Sequence, residues 1–254
     1  MKWLQRLIYS LLLGGQSFYY LAQGRVHRRN TMDQLTAVGT ESLMVVLVTA
    51  VVISGVFTIQ VAREFIAFGA SSAIGGVLSL ALSREMTPVI TAVILAGRVG
   101  SAFAAELGAM EVTEQVDALK VLRTNPVEYL VVPRLLACGV MLPVLSLLSL
   151  IVGLYGGLII CTNLYSLSSS IFLDSAQDFL AGWDLIVCCI KSFVFGSLIA
   201  TVGCGWGLST TGGAKGVGTS TTTAVVTALL GIFVTNFFMS WFFFQGPGSA
   251  FSNI

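Results

Sequence analysis

Long apolar runs, separated by short polar stretches, make up most of the pattern along the chain. A membrane-spanning helix needs about 20 consecutive, mostly apolar residues, and five segments satisfy this requirement. The predicted spans are Ser42–Ala62, Met86–Leu107, Leu130–Ile160, Trp183–Leu208 and Thr222–Phe244. The third contains Pro133 and Pro143, so a tilt or kink is expected there. The pattern predicts an all-α integral membrane protein whose residues 1–254 form a single domain.

A sixth stretch, Phe65–Ser83, is short and rich in Gly, Ala and Ser. It is compatible with a span, a re-entrant element or a helix on the surface, and the distribution of Lys and Arg favours one topology. With five spans and a cytoplasmic N-terminus, the predicted cytoplasmic cations are Lys2, Arg6, Arg25, Arg28, Arg29, Lys120, Arg123, Arg134 and Lys215. Only Arg63 and Arg84 then lie outside. This topology places Phe65–Ser83 on the external side, as a short helix near the mouth of a pocket.

Residues 1–24 precede the first span and have an amphipathic pattern. A signal peptide would also begin with basic residues followed by an apolar run, but no A-x-A-like cleavage site follows cleanly. One helical face carries Trp3, Leu7, Leu11, Phe18 and Leu21. The pattern favours an interfacial helix, followed by a basic stretch, GRVHRRN, that would meet anionic headgroups.

Composition agrees with a membrane protein and excludes several classes of site. The 254 residues are 56% hydrophobic and 10% charged, whereas soluble domains are about 25% charged. A net charge of +1 gives no basic field for nucleic acid. The single histidine is His27, and most of the five cysteines lie within apolar runs. We therefore expect no metal site, no bound cofactor and no catalytic residues in this chain.

Small residues recur every four positions in three predicted spans. They are Ala96, Gly100, Ala104 and Gly108 in the second span, Ser149, Gly153 and Gly157 in the third, and Gly203 and Gly207 in the fourth. Such ridges allow a neighbouring helix to approach closely. We expect this packing to occur within one subunit rather than at a dimer seam.

Three charged residues fall within predicted spans: Arg98, Glu106 and Lys191. A charge at bilayer depth costs roughly 2.5–3.5 kcal/mol on insertion scales, so each should face protein or water. Glu106 lies about 12 Å along the helix axis from Arg98, which makes a direct contact between them marginal. These residues are either the polar part of a conduit or gate, or members of structural ion pairs.

The segment Glu111–Arg134 contains seven charged residues, although the chain as a whole is poor in charge. Asn125 and Pro126 form a helix-start signal, and Val112, Val116 and Leu119 form an apolar stripe before it. This predicts a cytoplasmic amphipathic helix over 111–123. Its carboxylates suit a cationic protein groove, although a solvated connector is the alternative. The predicted partner-coupling residues are Glu111, Glu114, Gln115, Asp117, Lys120 and Arg123.

The glycine-rich stretch between the last two predicted spans, Ser209–Thr221, lacks the spacing of a phosphate-binding loop. We interpret it as a tight turn in which Thr219 or Ser220 caps the fifth span.

The stretch LAGRVGSAFAAELGAMEVTEQVDALKVLRTNPVEYLVVPR resembles the signature region of the MlaE/YrbE-type permeases of MCE-associated ABC lipid transporters. The later GGAKGVGTSTTTAVV is similar to the family's second marked stretch. The resemblance implies a homodimer of five-span subunits, each with an N-terminal interfacial helix. It further implies that a coupling helix, about Val112–Leu122 here, docks into a separate P-loop ATPase that uses ATP and Mg. An MCE-domain protein would lie on the external side, and the cargo would be glycerophospholipid or a related polar lipid. The implied location is the inner membrane of a diderm bacterium, such as a cyanobacterium, or the plastid inner envelope.

The sequence leaves three candidate functions. The first is the permease subunit of an ATP-driven lipid transporter, with a lipid pocket to which Val48, Val52, Phe233 and Phe237 contribute. The second is an ion-coupled secondary carrier in which Arg98, Glu106 and Lys191 form a relay, although no internal repeat supports it. The third, an enzyme acting on lipid headgroups, lacks a nucleophile, base or metal set.

Overall fold

The computed structural model describes residues 3–24 and 27–245. Two of the cations assigned above to the cytoplasmic side, Lys2 and Arg25, lie outside the described residues. The described part of the chain is helical and contains no strand. Five helical stretches are long and apolar enough to cross a membrane: Arg28–Ala67, Ser71–Val112, Val127–Tyr165, Gly182–Leu208 and Gly213–Phe244. The predicted all-α membrane fold with five spans is confirmed.

Eleven α-helices follow one another along the described residues. They are α1 (Trp3–Ala22), α2 (Arg28–Val38), α3 (Thr40–Ala67), α4 (Ile74–Ala81), α5 (Thr87–Leu95), α6 (Ser101–Val112), α7 (Gln115–Val121), α8 (Val132–Tyr165), α9 (Ser169–Phe179), α10 (Gly182–Leu208) and α11 (Gly213–Phe244). Three π-helical turns join some of them: Leu82–Met86, Ala96–Gly100 and Val127–Val131.

Two of the three π-helical turns are explained by proline. Proline has no N–H, and its ring collides with the carbonyl group four residues earlier. The turn Leu82–Met86 ends two residues before Pro88, and Val127–Val131 ends two residues before Pro133. The wider π turn relieves the collision and leaves carbonyl oxygens available to other donors. By contrast, α8 continues through Pro143.

The ambiguous segment Phe65–Ser83 does not form one separate element. Its first residues complete α3, and the chain then reverses at Gly69, whose φ is +73°. The remainder forms a short 3₁₀ turn and α4, which continues into the second long helical stretch. Glycine adopts this left-handed conformation without the steric cost that a side chain would add.

The glycine-rich turn between the last two spans is shorter than predicted. The helix α11 begins at Gly213, so Thr219 and Ser220 lie inside it and the predicted caps are wrong. The hydroxyl of Thr219 donates to the Gly216 carbonyl, one turn earlier, at 2.9 Å. Because such hydroxyl groups bond to their own helix, the polar run is accommodated without ending it.

The chain divides into two compact units. The first comprises 1–42, 92–142 and 193–235, and the second comprises 43–91, 143–192 and 236–254. In the first unit, α10 lies close to α6 and to the π turn that precedes it. A Cβ on Gly203 would lie 2.9 Å from the Gly100 oxygen, and one on Gly207 would lie 2.7 Å from the Leu107 Cβ. These contacts show that the predicted small-residue ridges of the second and fourth spans pack within one chain.

The helix α1 also belongs to the first unit and packs through its small residues. Ser10, Gly14 and Ser17 are buried, and a Cβ on Gly205 would overlap the Ser10 side chain. The large apolar residues on the predicted face, such as Leu11 and Phe18, remain exposed. This arrangement suits a helix that lies between protein and lipid, and the interfacial position of α1 remains a prediction.

In the second unit, α4 packs tightly against α9. A Cβ on Gly75 would lie 2.1 Å from the Phe172 backbone oxygen, and the N–H of Gly76 donates to the Ser175 hydroxyl at 3.0 Å. A buried apolar cluster surrounds this contact and includes Ala62, Ile74, Leu78, Leu82, Leu150, Cys161 and Phe172. The α4–α9 contact therefore rests on backbone proximity and apolar burial together.

Candidate functional site

A buried ammonium group, that of Lys191, lies in the second unit. The side chain of Lys191, on α10, is 0% exposed. Its Nζ donates to Glu85 Oε1 at 2.9 Å, to the Arg84 backbone oxygen at 2.8 Å and to Ser240 Oγ at 2.7 Å. An ammonium has three donors, so all three are used. This full set of partners offsets much of the cost of burying the charge.

The backbone oxygen that bonds Lys191 is available because of Pro88. In a regular α-helix the Arg84 carbonyl would accept from the N–H of residue 88, which proline lacks. The π turn Leu82–Met86 contains Arg84, and Lys191 on α10 supplies the missing donor to the Arg84 carbonyl. The sequence REMTP therefore supplies Arg84, Glu85 and the proline that frees the Arg84 oxygen, a signal that sequence reasoning missed.

The carboxylate of Glu85 connects the π turn to α11. Its Oε2 accepts from Asn236 Nδ2 at 2.8 Å, and its Oε1 accepts from the Ser240 hydroxyl at 2.6 Å. Glu85 retains 44% exposure, so this charge is not sealed from its surroundings. We define the Lys191 cluster as Arg84, Glu85, Asp184, Lys191, Asn236 and Ser240.

A second ion pair of the Lys191 cluster involves Arg84. Its Nε donates to Asp184 Oδ1 at 2.8 Å, and Asp184 is nearly completely buried. The guanidinium lies over the Phe244 ring, 4.6 Å from its centroid, a cation–π geometry. No described residue accepts a hydrogen bond from the terminal nitrogens of Arg84, so they remain available to a ligand.

An open groove of about 620 Å³ adjoins the Lys191 cluster. Its apolar lining residues are Val77, Leu80, Ala81, Phe237, Trp241 and Phe244, and its polar ones are Arg84, Glu85, Ser240 and Gln245. Ligand sites typically combine apolar walls with a few placed polar groups. This groove offers an apolar surface and a charged margin to one amphiphilic molecule.

The predicted pocket residues have different positions relative to this groove. Phe237 lines it and is 68% exposed. Val48, Val52 and Phe233 are exposed side chains of α3 and α11 that do not line it. They keep their role as a prediction, since exposed apolar residues of a membrane protein contact either lipid or another chain.

Two predicted intramembrane charges, both in the first unit, do not pair with each other. Arg98 lies in the π turn Ala96–Gly100 and donates to Glu41 at 2.9 Å, to Ser42 Oγ at 2.6 Å and to the Ala37 oxygen at 3.1 Å. It thus bonds to both sides of the break between α2 and α3.

Glu106 pairs instead with Arg134, Nη2 to Oε2 at 2.9 Å. The buried Arg134 also donates to the Leu130 oxygen at 2.8 Å and lies over the Phe103 ring. Glu106 thus connects α6 to α8.

The charged segment differs from the predicted helix over 111–123. The helix α6 ends at Val112, Glu114 adopts a left-handed φ of 58°, and α7 spans only Gln115–Val121. Glu111 therefore belongs to the preceding helix. The start signal after α7 is present, because Asn125 Oδ1 accepts from the N–H of Val127 at 3.0 Å.

The outer face of α7 combines charges with exposed aliphatic groups. Glu114, Gln115, Asp117, Lys120 and Arg123 are exposed, whereas Val116 is buried. Lys120 Nζ lies 2.7 Å from Asp117 Oδ1, and this hydrogen bond raises the pKa of Lys120.

Val121 and Leu122 are 83% and 73% exposed, and sequence reasoning missed them. Both residues lie outside the apolar stripe Val112–Val116–Leu119. This position off the buried face is the sequence signal that could have identified them as exposed. We call the exposed residues 114–123 the α7 surface.

Comparison with known proteins agrees with this architecture. The sequence model of the MlaE permease family matches residues 31–242. The chain belongs to the MlaE permease family. The matched residues of this MlaE-family permease include the Lys191 cluster and α7, whereas α1 precedes them.

Several relatives of this MlaE-family permease carry related names. A probable ABC transporter permease protein of Synechocystis sp. is 61% identical over 97% of this chain and 94% of its own length. The Arabidopsis thaliana protein TRIGALACTOSYLDIACYLGLYCEROL 1, chloroplastic, is 47% identical over 99% of this chain and 72% of its own length. A probable ABC transporter permease protein of Rickettsia prowazekii is 40% identical over 84% of this chain and 82% of its own.

Proposed function

We propose that this permease is the membrane subunit of an ATP-driven transporter that moves phospholipid or a related polar lipid between membranes. The groove beside the Lys191 cluster carries the proposal. Its apolar walls suit acyl chains, and the free terminal nitrogens of Arg84 suit a phosphate, to which arginine binds strongly. The name of the Arabidopsis relative, which is that of a glycerolipid, supports the same class of cargo.

The α7 surface supports coupling to a separate ATPase. It presents carboxylates, which fit a cationic groove, next to the exposed pair Val121 and Leu122. Exposed aliphatic side chains beside charges are typical of a protein contact. In this proposal the ATPase binds ATP and Mg, and the permease transmits the resulting movement to the lipid site.

A second copy of the chain is proposed to cover the first and fifth spans. In their most apolar 18-residue stretches, 28% and 17% of the residues are buried, against 44–50% in the other three spans. The exposed residues include Val48 and Val52 on α3 and Phe233 and Phe237 on α11. In a homodimer these side chains would line the lipid pocket.

The proposed surroundings follow from the same topology. The N-terminus and α7 lie in the cytoplasm, or in the stroma if the membrane is the plastid inner envelope. An MCE-domain lipid-binding protein lies on the external side, at the end that carries α9. The cyanobacterial and chloroplastic relatives support either an inner bacterial membrane or the plastid envelope.

The ion-coupled carrier receives less support from the geometry. Lys191, Arg98 and Glu106 each bond to a different carboxylate or guanidinium partner. Such pairs are consistent with structural roles. Ion-driven transport by liposomes that contain this chain alone, without an ATPase, would restore the carrier hypothesis.

Filling the groove tests the transport proposal. We expect Ala81→Trp to reduce ATP-dependent lipid transfer by about tenfold or more, because the indole occupies space that acyl chains would need. Transfer is measured between donor and acceptor vesicles with the reconstituted complex. Ile186→Trp, on an exposed face of α10, is the matched control and should transfer normally. Normal transfer by an assembled Ala81→Trp complex would contradict the proposal.

A further inference from the structure

A pocket of about 330 Å³ lies beside α7 in the first unit. Residues from four parts of the chain line it, including Tyr9, Glu111, Val116, Lys120, Leu208 and Ser209. The buried Val116 and the outward-facing α7 surface belong to the same short helix. Whatever binds the α7 surface is therefore close to this pocket.

The carboxylate of Glu111 lacks a hydrogen-bond partner among the described residues, although its side chain is half-buried. Lys120 also lines the pocket, but its ammonium is bonded to Asp117 at 2.7 Å. A carboxylate that is partly removed from water and receives no hydrogen bond is costly. This cost is offset when a cationic donor occupies the pocket.

Two further features of the pocket can accept hydrogen bonds from a cationic group. The phenol of Tyr9 has no hydrogen-bond partner in the described part of the chain. Burial first, and then the negative charge of Glu111, raise the pKa of Tyr9. The 27-residue helix α10 ends at Leu208, in the pocket lining, and a helix C-terminus carries about half a negative charge.

The lining favours a side chain over a metal ion. Glu111 is the only carboxylate among the residues that line the pocket, and hard metal ions require several oxygen ligands. The apolar lining residues Val116, Pro126 and Val127 suit the methylene stem of a long cationic side chain.

We propose that this pocket receives a lysine or arginine side chain from the ATPase that docks on α7. Glu111 is the counterion of that side chain, and the oxygen of Tyr9 accepts a hydrogen bond from it. This inference rests on the proposed coupling function. It also gives Glu111, which lies outside α7, a role distinct from that of the α7 surface.

Binding of the purified ATPase to the full-length permease in nanodiscs tests the pocket. We expect Glu111→Gln to weaken binding by about tenfold, since a charged hydrogen bond is replaced by a neutral one. The same substitution should make the affinity for the ATPase less dependent on salt concentration. Tyr9→Phe should weaken binding by a smaller factor. Asp174→Asn, an exposed acid on α9, is the control and should bind normally. Wild-type affinity in both pocket variants would overturn the proposal.

A charge exchange identifies the inserted side chain. Glu111→Lys should abolish binding, and one Lys→Glu or Arg→Glu substitution in the ATPase should restore it. Failure of every basic position in the ATPase to restore binding would overturn the assignment of the occupant. Correct folding of each variant is verified by its elution volume and thermal unfolding.

The α7 surface separates this inference from the proposed function. Val121→Ser with Leu122→Ser removes the exposed aliphatic pair and should weaken binding without altering the pocket. If this double variant loses affinity while Glu111→Gln does not, the pocket inference fails and the coupling function stands. If the wild-type permease does not bind the ATPase at all, the proposed function itself fails.

Discussion

At the scale of single residues, Pro88 shapes the candidate site through a backbone atom. It deprives the Arg84 carbonyl of its helical donor, and Lys191 takes that donor's place at 2.8 Å. Sequence reasoning identified Lys191 as an intramembrane charge but did not identify its partners, because Glu85 and Ser240 are distant along the chain. The proline was visible in the sequence. Which buried cation would satisfy the freed oxygen depended on tertiary packing.

The pairing of Lys191 with Glu85 leads to a prediction about stability. Lys191→Met should destabilise the permease by about 1–3 kcal/mol, because it leaves the Glu85 charge without its ammonium; the partial exposure of Glu85 reduces this cost. Lys191→Met combined with Glu85→Leu should destabilise less than the sum of the two single changes. Thermal unfolding in detergent measures all three variants.

The exposed Glu64 on α3 provides the control for this cycle. Glu64→Gln should change stability by less than about 0.5 kcal/mol, as expected for a surface position. Additive effects of the Lys191 and Glu85 substitutions would show that the two side chains are not energetically coupled.

At the scale of elements, two helices approach each other most closely where one of them has a glycine, which lacks a side chain. The α4–α9 contact places Gly75 against the Phe172 backbone. The sequence predicted the small-residue ridges of the second and fourth spans, because a four-residue spacing is a local property. It did not predict the α4–α9 contact, because no spacing rule relates two helices separated by two spans.

Two glycines offer a matched comparison for this contact. Gly75→Ala should destabilise the protein by about 1–3 kcal/mol, since the new methyl would overlap a backbone oxygen that cannot move away easily. Gly218→Ala, in α11, meets nothing within 4 Å and should be neutral or stabilising by up to about 1 kcal/mol. Thermal unfolding compares them. Equal stability of the two variants would contradict the close α4–α9 approach.

At the scale of the whole molecule, composition and periodicity were sufficient for the fold class. Apolar runs longer than 20 residues located the five spans, since only helices of this length cross a bilayer. The ends of the helices were less accessible to prediction. Val112 ends α6 because the chain adopts a left-handed turn at Glu114, and α11 starts nine residues before the predicted Thr222. In both places the residues on either side of the helix end are similar in type, so the local sequence does not show where the helix ends or begins.

The orientation of the chain is a prediction at this scale. A membrane-impermeant maleimide should label Gln177→Cys, on α9, from outside intact cells, and Ala118→Cys, on α7, only after permeabilisation. The basis is the excess of Lys and Arg on the predicted cytoplasmic side. Four native cysteines are buried, and the half-buried Cys189 is replaced by serine beforehand. The opposite labelling pattern would reverse the topology.

The bonding of Lys191 also has a consequence for biosynthesis. A chain is made from its N-terminus, so the fourth span is synthesised before the fifth. Glu85 and the Arg84 oxygen already exist when Lys191 reaches the bilayer, whereas Ser240 and Asn236 do not. The nascent fourth helix can therefore bury its ammonium group against partners from the second span, and the arrival of α11 completes the set.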